Sequence, residues 1–456
     1  MRFSNVATLF TIASIAEAAP ALFDRPHAFE SLPSSGGYQA GIFYVNWAIY
    51  GRKHFVTDLP YDKLTKINYA FANLNNVTGE VFLTDEWADL QFQYPGDAPG
   101  EGTQLYGNFN QLFKLKQKNQ NLKVALSVGG WSYRNNFSPG LNSPEKRLKF
   151  CSSSLKLIAD LGLDALDIDW EYPADDTDAA NLVSTAKVCR KLFDEYAAKY
   201  AHGYHFDITI SAPAGPQHYV HMPVRELDQY IDGWNLMAFD YQGGGFSNFT
   251  GHQSNVYPSR SNPKTTDGWV VEENRFRPFN TKEAVDYYKS NIADSTKLQL
   301  GLPLYGRSFG NVIDLSKEKR GLAAKFNGTG SGTWEAGVLD QKVLPLDGSK
   351  VYTDKETIAS WSWDAAKKEF VSFDNPKVSI WKTEYLKQEC LGGAWFWESS
   401  GDLPYANEKS SIRTVVKALG GERNLRLNQN NLYYPQSKYN NVRDATNVTA
   451  LIGSLH

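Results

Sequence analysis

Cysteine is scarce in this 456-residue chain: Cys151, Cys189 and Cys390 are all there is. An odd count leaves at least one thiol unpaired, which excludes a disulfide-stapled scaffold. Cys151 and Cys189 fall in segments that read as helices, and buried free thiols are the expected state. Histidine is sparse too, with 8 residues, and the cysteine spacing fits no metal site, so no metal or other cofactor is expected. An excess of one charge is also missing. A net charge of -3 provides no basic field for nucleic acid or an anionic membrane. No apolar run approaches the roughly 20 residues that cross a bilayer.

What is present points to an exported, soluble monomer. Met1-Arg2-Phe3, an apolar stretch from Val6 to Ile15 and then Ala16-Glu17-Ala18 make a basic start, a short apolar core and an A-x-A cleavage site. Residues 1–18 are therefore expected to be a signal peptide and the mature protein to be extracellular. Five N-x-S/T sequons agree with that route, at Asn76, Asn136, Asn248, Asn327 and Asn447. Aromatic residues make up 14% of the chain, enough for a large aromatic core, a groove lined with flat rings, or both.

Eight short apolar runs recur along the chain. They are Gly41–Trp47, Lys66–Ala72, Leu122–Val128, Leu163–Trp170, Phe206–Ala212, Gly233–Phe239, Leu298–Leu302 and Gly392–Trp397. Helical patterns lie between them at Tyr106–Lys118, Pro144–Leu161, Ala179–Tyr200 and Thr281–Asn291, with a last one at about Asn407–Leu419. Repeated β-α units of this kind predict an α/β fold, a (β/α)8 TIM barrel, with its site at the C-terminal ends of the strands. The interval between the seventh and eighth strands is too long for a loop and holds alternating segments of its own. It reads as a small α+β insertion domain at 309–380, between barrel parts at 38–308 and 381–420. A tail at 421–456 is Asn/Tyr-rich with little periodicity.

One stretch carries the chemistry: Leu163-Asp164-Ala165-Leu166-Asp167-Ile168-Asp169-Trp170-Glu171-Tyr172-Pro173. On a strand, Asp167, Asp169 and Glu171 share one face and Leu166, Ile168 and Trp170 the other. Three neighbouring carboxylates cannot all stay ionised, so at least one proton affinity must rise. A carboxyl kept protonated near neutral pH is what a general acid requires. A cation-binding cluster is the competing reading. A solvated acidic edge fits poorly with the apolar residues between the acids.

Asp164, Asp167, Asp169 and Glu171 spell D-x-x-D-x-D-x-E, which resembles the signature of family-18 glycoside hydrolases, the chitinases of secreted fungal type. The resemblance runs from about Gly41 to Leu419. Phe43-Tyr44-Val45-Asn46-Trp47 resembles the first strand, Tyr69-Ala70-Phe71 the second, and Ser127-Val128-Gly129-Gly130-Trp131 the third-strand S-x-G-G-W. Met237-Ala238-Phe239-Asp240 is similar to the sixth-strand M-x-Y-D, Tyr305-Gly306-Arg307 follows the seventh, and Gly392–Trp397 makes the eighth.

The resemblance implies hydrolysis of chitin or chitooligosaccharides without a second carboxylate nucleophile, the substrate's acetamide attacking C1 instead. It implies Glu171 as general acid, Asp169 as the group that orients the acetamide, and Asp167 behind it sharing a proton. Phe43, Phe71, Trp131, Tyr172, Met237, Phe239, Asp240, Tyr305, Arg307 and Trp397 would line the substrate groove. Ser127 would support the inner aspartate. Asp164 has the opposite strand parity, which suits a structural role. Two positions depart from the family pattern: Phe43 and Phe239 stand where tyrosines are usual. Tyr241 or an ordered water could supply the hydroxyl missing at Phe239. Two other activities share this fold, a chitin-binding lectin and an endo-β-N-acetylglucosaminidase. Glu171 argues against the lectin and the insertion domain for long chitin chains. No Cys-rich carbohydrate-binding module accompanies the barrel.

Overall fold

The computed structural model describes residues 36–259, 269–272, 275–277, 279–314, 316 and 319–445. The expected signal peptide and the Asn447 sequon lie outside them. Eight strands close into a barrel: β1 (Gln39–Val45), β2 (Lys66–Leu74), β3 (Lys123–Gly129), β4 (Ala165–Asp169), β5 (Asp207–Pro213), β6 (Gly233–Met237), β7 (Leu298–Pro303) and β8 (Gly393–Trp397). Each pairs in parallel with the next, and β1 closes on β8 with Gln39 opposite Gly393. This is the expected TIM barrel. Strand β4 is buried along its length, and its Leu166 and Ile168 are fully enclosed. Leu163 and Asp164 precede β4 instead of belonging to it, because Gly162, at φ 73°, ends the helix before them in a left-handed turn.

The main helices are α1 (Gly107–Lys118), α2 (Pro144–Leu161), α3 (Asp176–Tyr200), α4 (Thr281–Lys289), α5 (Pro376–Gln388) and α6 (Ser411–Ala418). Their starts are written in the sequence. Ser143, Asp175, Asn280, Asn375 and Ser410 each accept a hydrogen bond from a first-turn backbone N–H, and α2 and α5 open on proline. The Asp175 cap starts α3 three residues ahead of Ala179. Between β1 and β2 the connection is built of short 3-10 turns.

Two cysteines correct the expectation of free thiols. Cys151 of α2 and Cys189 of α3 form a disulfide with a Cα–Cα distance of 4.8 Å. Consecutive barrel helices lie side by side, which brings residues 38 apart in sequence into bonding range. Cys390 remains an exposed free thiol.

After β7 the chain leaves the barrel for a five-stranded antiparallel sheet. In spatial order it is Val338–Asp340, Tyr305–Phe309, Glu369–Ser372, Ala359–Asp364 and Lys350–Asp354. The boundaries expected at 309 and 380 fall inside a strand of this sheet and inside α5. Phe309, Trp361 and Phe370 form its own small core.

Side-chain bonds to backbone hold the described part of the aperiodic tail in place. Asn430 Nδ2 donates to the carbonyls of Lys116, Asn119 and Leu122, and the Tyr434 hydroxyl donates to that of Leu163. These bonds strap the tail across the N-terminal end of the barrel. They also enclose a buried ion pair, Lys116 Nζ to Asp164 Oδ2 at 2.9 Å. Among the sequons, Asn76, Asn248 and Asn327 are exposed, whereas Asn136 is half-buried and donates to Asn73 Oδ1.

Candidate active site

The acidic motif sits where a parallel barrel presents its chemistry, at the C-terminal end of β4. The pleat turns Asp167 and Asp169 inward, and Glu171 follows two residues beyond the strand. Glycine lets β3 come close to them. Gly129 has φ 120°, and a Cβ there would lie 2.1 Å from the Asp169 carbonyl, while the Gly130 N–H donates to that carbonyl at 2.8 Å.

The three carboxyls live in different surroundings. Asp167 is fully buried and accepts four hydrogen bonds: Thr209 Oγ1 at 2.7 Å and Asn235 Nδ2 at 2.9 Å on Oδ1, Ser127 Oγ at 2.7 Å and Ser211 Oγ at 3.1 Å on Oδ2. Burial still holds it above the usual carboxylate range, against the opposing charge of Lys66 and these hydroxyls. Asp169 is 3% exposed and its Oδ1 has no hydrogen-bond partner. Burial, then the charges of Glu171 and Asp167, push its proton affinity well up. Glu171 accepts from the Tyr172 hydroxyl at 3.1 Å, and burial raises its pKa to about 7.

Around this column the barrel mouth gathers the expected rings. Phe43 is buried against Trp395 and Trp397, with centroids at 5.0 and 5.3 Å, and Phe71 stacks on Trp397 at 5.7 Å. Trp131 stands 60% exposed with the Arg134 guanidinium 3.9 Å from its ring centre. Tyr172 packs on His218 at 4.2 Å. Met237 ends β6, half-buried. Phe239 lies edge-on to Trp395 and Tyr305 at 5.4 and 6.1 Å. Asp240, at φ 59°, accepts from the Tyr305 hydroxyl at 2.6 Å and Arg307 Nε at 2.7 Å. Asp164 is absent from this group. It lies below β4, bonded to Lys116, the Val124 N–H and the Asn431 N–H. Tyr241 offers no replacement hydroxyl, since its own is engaged with Thr281 at 3.1 Å.

Sequence reasoning missed Thr209, Ser211 and Asn235, the main donors to Asp167 besides Ser127. A signal existed: in Asp207-Ile208-Thr209-Ile210-Ser211 the polar residues alternate with the apolar ones and so face the barrel interior together. Trp47 was missed as well; 40% exposed, it lies 6.3 Å from Phe71. Among the described residues, the cluster best spaced for a metal is elsewhere, at His205, Asp207 and Asp232. Those carboxylates are already engaged by Lys123, Arg190 and His205.

A family model for glycosyl hydrolases family 18 matches residues 39–402. The chain is 39% identical over 410 residues to endochitinase 1 of Metarhizium robertsii, covering 90% of this chain and 91% of that one. It is 40% identical over 412 residues to chitinase 1 of Aphanocladium album, covering 90% and 92%. Among solved structures, the catalytic domain of the psychrophilic chitinase B from Arthrobacter TAD20 aligns with a TM-score of 0.74 and 26% identity, over 86% of this chain and 96% of that one.

Proposed function

Since the chain belongs to the glycosyl hydrolases of family 18 and is a glycoside hydrolase, we propose that it cleaves the β-1,4 links between N-acetylglucosamine units of chitin and chitooligosaccharides with retention of configuration. The observation that carries this reading is the pairing of Glu171, kept protonated to about pH 7 by burial, with a neighbouring Asp169 whose Oδ1 has no partner.

In the proposed sequence Glu171 gives its proton to the glycosidic oxygen as the C1–O bond breaks. The substrate's acetamide oxygen attacks C1 and forms an oxazolinium ion. Asp169 accepts from the acetamide N–H, which aims the carbonyl at C1 and offsets the positive charge that develops. Glu171, now a carboxylate, takes a proton from the water that opens the ring and is ready for the next cycle. The exposed ring of Trp131 and the paired rings of Phe71 and Trp397 provide flat apolar surfaces for sugar faces. The Asp240–Tyr305–Arg307 group adds polar contacts at the rim.

Secretion is part of the same proposal. It is supported by the leader pattern at residues 1–18 and by the Cys151–Cys189 disulfide, a bond that persists in oxidising compartments. No helix among the described residues is long and apolar enough to cross a membrane.

The test is to follow cleavage of a defined N-acetylglucosamine oligomer by proton NMR. Fresh product should carry the β anomer, because two displacements at C1 restore its configuration. An oligomer with a free amine at the cleavage position should resist cleavage there. An initial α anomer, or equal cleavage of the amine analogue, would overturn the acetamide route.

A further inference from the structure

Lys66 opens β2 and points into the barrel, 3% exposed. Its Nζ reaches across to β5 and donates to Thr209 Oγ1 at 3.3 Å, and Thr209 Oγ1 in turn donates to Asp167 Oδ1 at 2.7 Å. Below it lies a polar cavity of about 110 Å³ lined by Lys66, Lys123, Asp207, Asp232, Gln299 and Arg426, at the barrel end away from the rings. The acids of that cavity are already matched. Asp207 pairs with Lys123 at 2.9 Å, and Asp232 with Arg190 at 2.5 Å and with His205 at 2.7 Å. A buried cation is costly unless an anion balances it. Of the anions that keep Lys66 charged, Asp207, Asp167 and Asp232, Asp167 is the one joined to it through a single hydroxyl.

We propose that Lys66 is a positioning residue for the hydrolysis: acting through Thr209, its charge holds Asp167 as an anion behind Asp169, while Glu171 keeps the transferable proton. The inference rests on the hydrolytic reading above and adds the group that orders its carboxyls. Among the influences opposing burial at Asp167, the Lys66 charge stands first, ahead of Thr209, Ser127 and Ser211. Asp169 has no comparable partner and is raised further. The other charges in range are Asp169 and Glu171 above, and Lys123, Asp207, Asp232 and Arg426 below. Burial lowers the proton affinity of Lys66 itself, while Asp207, Asp167 and Asp232 help to keep it charged and Lys123 opposes them.

The sign of the effect follows. Without the Lys66 charge, Asp167 binds its proton more tightly, and the anion beneath Asp169 is lost at a higher pH. The acid limb of the kcat profile therefore moves up. The experiment measures that profile on an N-acetylglucosamine oligomer for the wild type, Lys66→Gln, Lys66→Arg and Asp207→Asn. Lys66→Gln should raise the acid limb by about one pH unit or more, the scale of a lost neighbouring charge. Lys66→Arg should keep the wild-type limb. Asp207→Asn removes the charge that does most to keep Lys66 protonated, so its limb should move up, toward that of Lys66→Gln. A folded Lys66→Gln with the wild-type limb overturns the inference, because a purely structural lysine would alter stability and leave the limb in place. If Lys66→Gln does not fold, an unmoved limb in Asp207→Asn overturns it equally. A wild type inactive on the oligomer refutes the hydrolytic reading and this inference with it, whereas an active wild type with unmoved limbs refutes the Lys66 role alone.

Discussion

Replacing Glu171 by glutamine should make the protein more stable above neutral pH while abolishing hydrolysis. Burial raises the Glu171 pKa from 4.5 to about 7. A group with that shift binds its proton more tightly in the folded state, so folding is favoured at low pH. That advantage is lost as pH rises from about 4.5 through about 7. A shift of roughly 2.5 units at about 1.4 kcal/mol each places the loss at about 3.5 kcal/mol at most once the carboxylate is fully ionised. Glutamine keeps the shape, has no proton to lose and escapes the penalty. Removing the Glu171 charge also relieves Asp169, whose proton affinity that charge raises, and this acts in the same direction. The assay is denaturant unfolding of both proteins at pH 4.5 and pH 8. The two should be nearly equal at the lower pH, with the variant ahead by about 2–3 kcal/mol at the higher. A gap that does not change between the two pH values would refute the reasoning, since it would mean that Glu171 titrates as an ordinary exposed acid. Loss of turnover with oligosaccharide binding retained would complete the picture, because the amide fills the same space but cannot protonate a leaving group.

Asp169→Asn should lower kcat by at least ~10²-fold, the scale for loss of a main stabiliser of developing charge; wild-type turnover would remove Asp169 from that role. Phe239→Tyr places a hydroxyl between Trp395 and Tyr305, where Tyr241 cannot supply one. One recovered hydrogen bond should raise kcat/KM by up to roughly 10-fold, and a fall in kcat/KM would count against a missing hydroxyl at this position. The double variant Cys151→Ser/Cys189→Ser opens a cross-link between residues 38 apart. Chain entropy alone puts the loss at about 4 kcal/mol in denaturant unfolding, and no measurable loss would show that the bridge adds nothing.

The barrel was legible because its signals are local and repeated. Leu166 and Ile168 alternate with the acids on β4, and capping residues such as Ser143 and Asn375 stand where helices begin. What escaped is what depends on distance between elements. The Cys151–Cys189 bond joins two helices whose adjacency no local pattern encodes. The tail showed little period because isolated side chains, Asn428, Asn430 and Tyr434, hold it by bonds to backbone carbonyls. At the site, the acids were visible on one strand. Their donors Thr209, Ser211 and Asn235 were not, because they come from two further strands in register with β4 only after the barrel closes.

Register also explains how one strand can carry three unlike acids. Asp167 and Asp169 are spaced by the period of two, about 6.6 Å along the strand, and Glu171 follows two residues beyond its end. At the first step hydroxyls from β3 and β5 and an amide from β6 surround the carboxyl, with Lys66 behind them. At the second step one oxygen has no partner, and at the third the Tyr172 hydroxyl and the Trp131 backbone act on the carboxyl. Burial raises all three, but the compensating donors crowd the deepest one. Hydrogen-bond support is thereby concentrated at the floor, and the outermost acid, raised to about 7, stands at the end that meets the substrate. A substitution that removed a donor from the floor would weaken that support without altering any of the three acids.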